Sequence, residues 1–179
     1  AGPFATPRVH GGQLFTVGIN GLLRSFQADN GKVLWEKTYR EDELNTEKFF
    51  CGNSVSPVIY RNYCITHIGD DSAGRFTAHD LKTGEVAWQW TEDNPGYATP
   101  FLAMIESTPQ FITLTQSKVA GIFAMTGKTF WEIPFVSEWK ENIPSVLVMR
   151  DLVVYGGVDR GVTAVRIKKE DDGWQANQI

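Results

Sequence analysis

The sequence predicts an all-β protein built of four-stranded antiparallel blades, a β-propeller, and three observations carry that prediction. Tryptophan recurs at Trp35, Trp88, Trp131 and Trp174, at intervals of 53, 43 and 43 residues. A small residue stands ten positions before each (Ser25, Ala78, Gly121, Ala164), and a glycine four positions before the first three (Gly31, Gly84, Gly127). Short β-rich runs parted by glycine turns fill the space between, and no 3.6-residue apolar period appears. A repeat of about 40–50 residues holding four short strands is what a propeller blade looks like in sequence.

The elements follow in order. The first repeat reads as PRV, QLFTVG, LLRSFQA and KVLWEK, separated by His10-Gly11-Gly12, Asn20-Gly21 and Asp29-Asn30-Gly31. Asn-Gly between β-rich runs signals a hairpin, because both residues tolerate positive φ. The second reads as SPVIY, NYCITHI, RFTAHD and EVAWQW, with a longer middle turn from Gly69 to Gly74. The third carries a turn at Glu106-Ser107-Thr108 and ends in AMTGKTFW; the fourth runs SVLVM, LVVYGG and VTAVRI. A hydroxyl residue anchors each repeat start, at Thr6, Ser56, Thr99 and Ser145.

Blades are therefore expected at about 5–38, 54–92, 98–135 and 144–177, in one partial propeller spanning 1–179. An acidic linker over 39–50, containing REDELNTEK (40–48), accounts for the longer first interval and reads as a solvated loop or a single helical turn. The small residue makes room for the indole of the adjoining strand, which packs against the neighbouring sheet, and an aromatic of that size dominates a local core. The glycine supplies a turn in which a Cβ would be strained.

Composition narrows the functional classes. The chain has 179 residues, 42% hydrophobic and 12% aromatic, too apolar for a disordered tail. A net charge of −4 gives no basic footprint for nucleic acid. No run approaches the ~18–20 apolar residues of a membrane span. Cys51 and Cys64, thirteen apart, fit no zinc or redox motif, and whether they pair is left open. His10, His67 and His79 lie on separate repeats without metal-ligand spacing. No nucleophile elbow, phosphate loop or dinucleotide fingerprint is present, so the chain is expected to hold no catalytic, cofactor-binding or metal-binding residues. Candidates for a binding face are the aromatics Tyr97 and Trp139, in loops between blades, and Asp70 and Asp71, a turn pair that could offer oxygens to calcium but is followed by no ladder of further ligands.

At these repeats the sequence resembles the pyrroloquinoline-quinone-like (PQQ-like) propeller repeats, whose pattern is a small residue, an apolar one, Asp, a short spacer, Thr-Gly-Lys and Trp. Ala78, His79, Asp80, Thr83, Gly84 and Trp88 carry it best; Gly31, Lys32 and Trp35, then Thr126, Gly127, Lys128 and Trp131, keep its end. His79 replaces the usual aliphatic residue, and the fourth repeat lacks the Thr-Gly turn.

The resemblance implies rings of seven or eight blades, so that four form part of one and the remaining blades of a longer chain are partners. It also implies an extracytoplasmic address. Relatives of this kind include quinone-dependent alcohol dehydrogenases and a periplasmic lipoprotein that scaffolds outer-membrane assembly. Intact repeats beside an absent catalytic set point to a non-catalytic scaffold for a protein or ligand on the loop face. The alternative is a fragment of a PQQ- and calcium-dependent alcohol dehydrogenase whose catalytic residues lie outside this chain. A sugar-binding propeller rests on Trp139 and Tyr97 alone.

Overall fold

The computed structural model describes residues 4–39, 44–46 and 49–179, so most of the acidic linker lies outside the described residues. Among the described residues sixteen strands form four antiparallel sheets of four, each a meander with neighbouring strands paired in chain order. Sheet 1 holds β1 (Arg8–His10), β2 (Gln13–Val17), β3 (Leu23–Gln27) and β4 (Val33–Lys37). Sheet 2 holds β5 (Val58–Tyr60), β6 (Tyr63–Gly69), β7 (Gly74–Asp80) and β8 (Val86–Trp90). Sheet 3 holds β9 (Phe101–Ile105), β10 (Thr108–Leu114), β11 (Lys118–Phe123) and β12 (Thr129–Pro134). Sheet 4 holds β13 (Leu147–Met149), β14 (Leu152–Gly157), β15 (Gly161–Glu170) and β16 (Gly173–Gln178). The chain divides into two compact units, Ala1–Pro95 with sheets 1 and 2, and Gly96–Ile179 with sheets 3 and 4.

The repeat spacing translates into a repeated register. Ser25 pairs with Trp35, Ala78 with Trp88 and Gly121 with Trp131, and in all three sheets a bulge follows the small residue. The need for smallness is steric: a Cβ on Gly121 would collide with the Trp131 indole. The glycine turns are likewise copies of one another. Gly31, Gly84 and Gly127 each sit at φ between 72° and 75°, the left-handed region that only glycine enters at no cost. Each donates its N–H to the carbonyl four residues earlier, on Gln27, Asp80 and Phe123. In sheet 2 the Asp80 carboxylate also accepts the N–H groups of Lys82 (2.9 Å) and Thr83 (3.0 Å), which is why aspartate suits that position.

The fourth tryptophan breaks the pattern that its even spacing suggests. β15 runs on to Glu170, and its hairpin with β16 turns at Asp171-Asp172, so Trp174 pairs with Lys169 and not with Ala164. Opposite Ala164 the chain places Ile179, whose N–H reaches the Ala164 carbonyl at 3.1 Å. Trp174 instead stacks on Phe130 of β12, which stacks in turn on Phe123, at centroid distances of 5.3 and 5.0 Å. The longer hairpin has moved the indole to the opposite face of its sheet.

Each unit buries its own core between its two sheets. In the first, Phe15, Val17, Leu23 and Trp35 of sheet 1 pack on Cys64, Ile68 and Leu81. In the second, Ile112, Leu114, Val119 and Trp131 of sheet 3 meet Val153, Tyr155, Val165 and Ile167 of sheet 4. Trp35 shows how one sheet reads the next: its indole N–H donates to the Leu81 carbonyl at 2.9 Å, and its ring lies over the Gly84 turn. A Cβ on Gly84 would come within 2.8 Å of that ring.

Candidate functional site

The residues proposed for a binding face divide between the two units. In the second, the linker from β12 to β13 carries Trp139. A turn closed by the Lys140 N–H on the Ser137 carbonyl (3.0 Å), with Lys140 at φ 56°, turns the indole outward, and Trp139 is 70% exposed. The linker itself is pinned. The buried Asn142 side chain donates to the Thr115 carbonyl at 2.6 Å, and the Glu138 N–H meets Asp159 at 3.4 Å. The Tyr97 N–H donates to the Asn142 carbonyl at 3.1 Å, so the structure brings the half-buried Tyr97 to the segment bearing Trp139. Val136 and Ile143 of this linker, and Val158 next to Asp159, are also exposed, residues that the sequence alone did not single out. Arg160 lies over the Phe135 ring, 5.7 Å from its centroid, and Asp159 accepts the Glu138 N–H, so the Asp159-Arg160-Gly161 turn braces this loop.

Asp70 and Asp71 lie in the other unit, in the turn between β6 and β7. Asp70 is buried, not solvated. One oxygen accepts the Ser72 N–H (2.7 Å), the Ser72 hydroxyl (2.6 Å) and the Ala73 N–H (2.9 Å), and the other accepts the Asn45 N–H at 2.7 Å. Burial by itself would raise its carboxyl, but these hydrogen bonds outweigh it and hold the group below the usual carboxylate range. One oxygen closes the β6–β7 turn and the other holds Asn45. Asp71 beside it is exposed.

The remaining titratable groups of interest are core groups. His67 is fully enclosed, edge-on to Phe76 and Trp90, with Nε2 at 3.3 Å from the Asp93 carbonyl. His79 lies under Trp35 with Nδ1 at 3.2 Å from the Gly84 carbonyl. Burial drives both down to about 4. Cys51 is exposed and Cys64 buried; both are free thiols, and burial pushes Cys64 up to about 12. The Asp70-Asp71 turn is a poor fit for calcium, because the buried Asp70 carboxylate already accepts four hydrogen bonds. Among the described residues no three His, Cys, Asp or Glu side chains converge as a metal site, and the acidic turn spends its buried carboxylate within its own unit. No described helix is long and apolar enough to cross a membrane.

Asn53 and Asn142 were invisible to motif reasoning, yet they do similar work. Each stands three residues before a hydroxyl anchor, at Ser56 and Ser145. Asn53 accepts the Gly69 N–H at 2.9 Å and reaches the Ile19 carbonyl at 3.5 Å; Asn142 holds Thr115. Each ties the linker to a loop of its own unit. The shared offset from the anchor was the available signal.

Comparison with known proteins places these features in a family. A family model described as outer membrane protein assembly factor BamB matches residues 1–179. The crystal structure of BamB from Moraxella catarrhalis is similar at TM-score 0.70 and 16% identity, over 92% of this chain and 48% of that one. The quinohemoprotein alcohol dehydrogenase ADHIIG from Pseudomonas putida HK5 is similar at TM-score 0.55 and 13% identity, over 95% of this chain and 32% of the enzyme. A tetrathionate hydrolase from Acidithiobacillus ferrooxidans is 29% identical over 72 residues, 40% of this chain and 13% of its own. The chain thus spans about half or less of the length of these relatives. With four antiparallel blades and a match along its whole length, the chain belongs to the BamB family of PQQ-like β-propellers.

Proposed function

We propose that this chain works outside the cytoplasm as a non-catalytic propeller segment that binds a protein through the linker carrying Trp139. The observation that carries the reading is an exposed indole on a pinned turn, in a linker that also exposes Val136 and Ile143. Exposed apolar patches of this kind mark interaction sites, and tryptophan is enriched among the residues that dominate binding energy. Membership in a family named for an outer-membrane assembly factor supports a protein as the ligand and supports the extracytoplasmic address.

A photo-crosslinking amino acid placed at position 139 tests it in cells. The expected result is one dominant envelope-protein adduct, missing when the crosslinker sits at exposed Val86 in the other unit. Equal labelling from both positions, or none from 139, contradicts the reading. The alternative, a segment of a PQQ- and calcium-dependent alcohol dehydrogenase with its catalytic residues elsewhere, is supported only by likeness of fold to the Pseudomonas putida enzyme.

A further inference from the structure

We propose that Cys64 and His79 form a two-ligand site for a soft monovalent metal ion, copper(I), inside the first unit. The two residues are fifteen apart in sequence, a spacing that fits no metal motif, but the β6–β7 hairpin sets them directly opposite each other. Facing residues of paired strands put their side chains on the same side of the sheet, with Cβ atoms about 4.5–5.5 Å apart. Here that side is the one packed on sheet 1, where Cys64 is fully buried and His79, under Trp35, is 1% exposed.

The other three sheets show what packing alone asks of this position, next to the small residue of each repeat. The equivalent facing pairs are Leu14 with Phe26, Phe111 with Ile122, and Val153 with Val165, all apolar. Sheet 2 alone puts a thiol and an imidazole there. The imidazole is also in the form that a metal ligand takes. Nδ1 lies 3.2 Å from the Gly84 carbonyl, and a carbonyl only accepts, so Nδ1 carries the proton. Nε2 is then a bare lone pair, buried and without a hydrogen-bond partner among the described residues. Metal-ligating histidines are oriented in this way, by a hydrogen bond from the other ring nitrogen to a backbone carbonyl or carboxylate. As a plain core residue His79 would leave a polar atom buried and unpaired, a cost that phenylalanine at the equivalent Phe26 avoids.

Two donors and a cationic neighbour select the metal. Zinc in a closed site takes four ligands, and no third His, Cys, Asp or Glu joins the pair among the described residues. Copper(I) is satisfied by two ligands in line, and thiolate and imidazole are donors that suit it. On binding, the Cys64 thiol gives its proton to water while S–Cu and N–Cu bonds form, with no change of oxidation state. Copper(I) and thiolate together are neutral, as a buried site requires. A divalent ion would leave net positive charge beside the Lys37 side chain, which lies against the Gly84 turn. Metal–donor distances of about 2.0–2.3 Å, as for zinc, ask for sulfur and nitrogen about 4 Å apart, a gap that facing side chains can span. This inference does not depend on the role of Trp139.

Anaerobic titration of the full chain with copper(I), read by competition with the chelator bicinchoninate, tests it. The exposed thiol of Cys51 is removed throughout by Cys51→Ser. Because both donors are buried, copper(I) is supplied during refolding as well as to the folded chain. The expected result is one copper(I) per chain, with X-ray absorption showing one sulfur and one nitrogen ligand. Cys64→Val, which copies Val153, should abolish retention, and His79→Phe, which copies Phe26, should weaken it at least about tenfold, with circular dichroism unchanged in both. A Cys51→Ser chain that retains no copper(I) by either route would overturn the proposal. So would retention unchanged by either substitution, an absorption spectrum without a nitrogen ligand, or zinc(II) held as tightly as copper(I).

Discussion

Gly84 is constrained twice, by a left-handed φ and by the Trp35 ring within 2.8 Å of any added Cβ, whereas Gly173 sits at positive φ with nothing near it. Gly84→Val should therefore cost about 1–3 kcal/mol more than Gly173→Val, the price of overpacking added to shared backbone strain. Urea unfolding of the two variants checks the order, and equal losses would show that the turn tolerates side chains. By the same reasoning Trp88→Ala, a buried indole stacked on Phe76 at 6.0 Å, should cost about 3–5 kcal/mol, and half-buried Trp174→Ala clearly less. A loss under about 1 kcal/mol at Trp88 would mean that its ring is not part of a core. His67 and His79 make a third prediction. In the unfolded chain an imidazole takes its proton near 6.5, but burial holds both folded residues at about 4. Above pH 6.5 both states are neutral and stability is complete; as pH falls from 6.5 to 4, only the unfolded chain binds the protons and stability is lost, by about 3 kcal/mol for each residue at the lower end. His79→Phe, which copies Phe26 at the equivalent position, should remove roughly half of that fall in urea midpoints measured from pH 7 to pH 4.5. An unchanged slope would show that His79 is solvated. Asp70, whose carboxyl is held low, contributes above its ordinary range and loses that contribution only in stronger acid, below the histidine window.

At the scale of strands and hairpins, the residues that announced themselves were those that geometry leaves no choice about. Gly31, Gly84 and Gly127 hold a left-handed φ that glycine alone enters without strain, and Ser25, Ala78 and Gly121 are small because an indole sits across the bulge from each. Trp174 misled because spacing counts residues and not register: a longer β15 keeps the interval of 43 and still moves the ring to the other face. The burial of Asp70 is not legible in an Asp-Asp-Ser turn, a surface-like sequence, because it comes from three donors of the turn and one from Asn45. Asn53 and Asn142 were illegible for a different reason. A single asparagine in a linker has no pattern, and only the structure shows it bonded to loops far along the chain. Asn53→Ala should cost about 1–3 kcal/mol, because it leaves the buried Gly69 N–H without its acceptor. Hydrogen exchange at Gly69 should accelerate with it; an unprotected Gly69 amide already in the natural protein would contradict the clasp.

For the whole molecule, the architecture was legible and the activity was not, since a propeller's repeats encode how blades pack while its function resides in loops that differ from blade to blade. Trp139 stood out only as a tryptophan off the repeat; what gives it weight is the pinned turn and the exposed Val136 and Ile143 of the same linker, residues ordinary in sequence. The central claim is that this family member binds without catalysing. Calorimetric titration of the full gene product with pyrroloquinoline quinone and calcium tests it most directly. The account predicts no heat of binding from either ligand, alone or together, and no alcohol-dependent dye reduction. Saturable binding in the micromolar range with turnover would contradict it and assign the chain to a dehydrogenase.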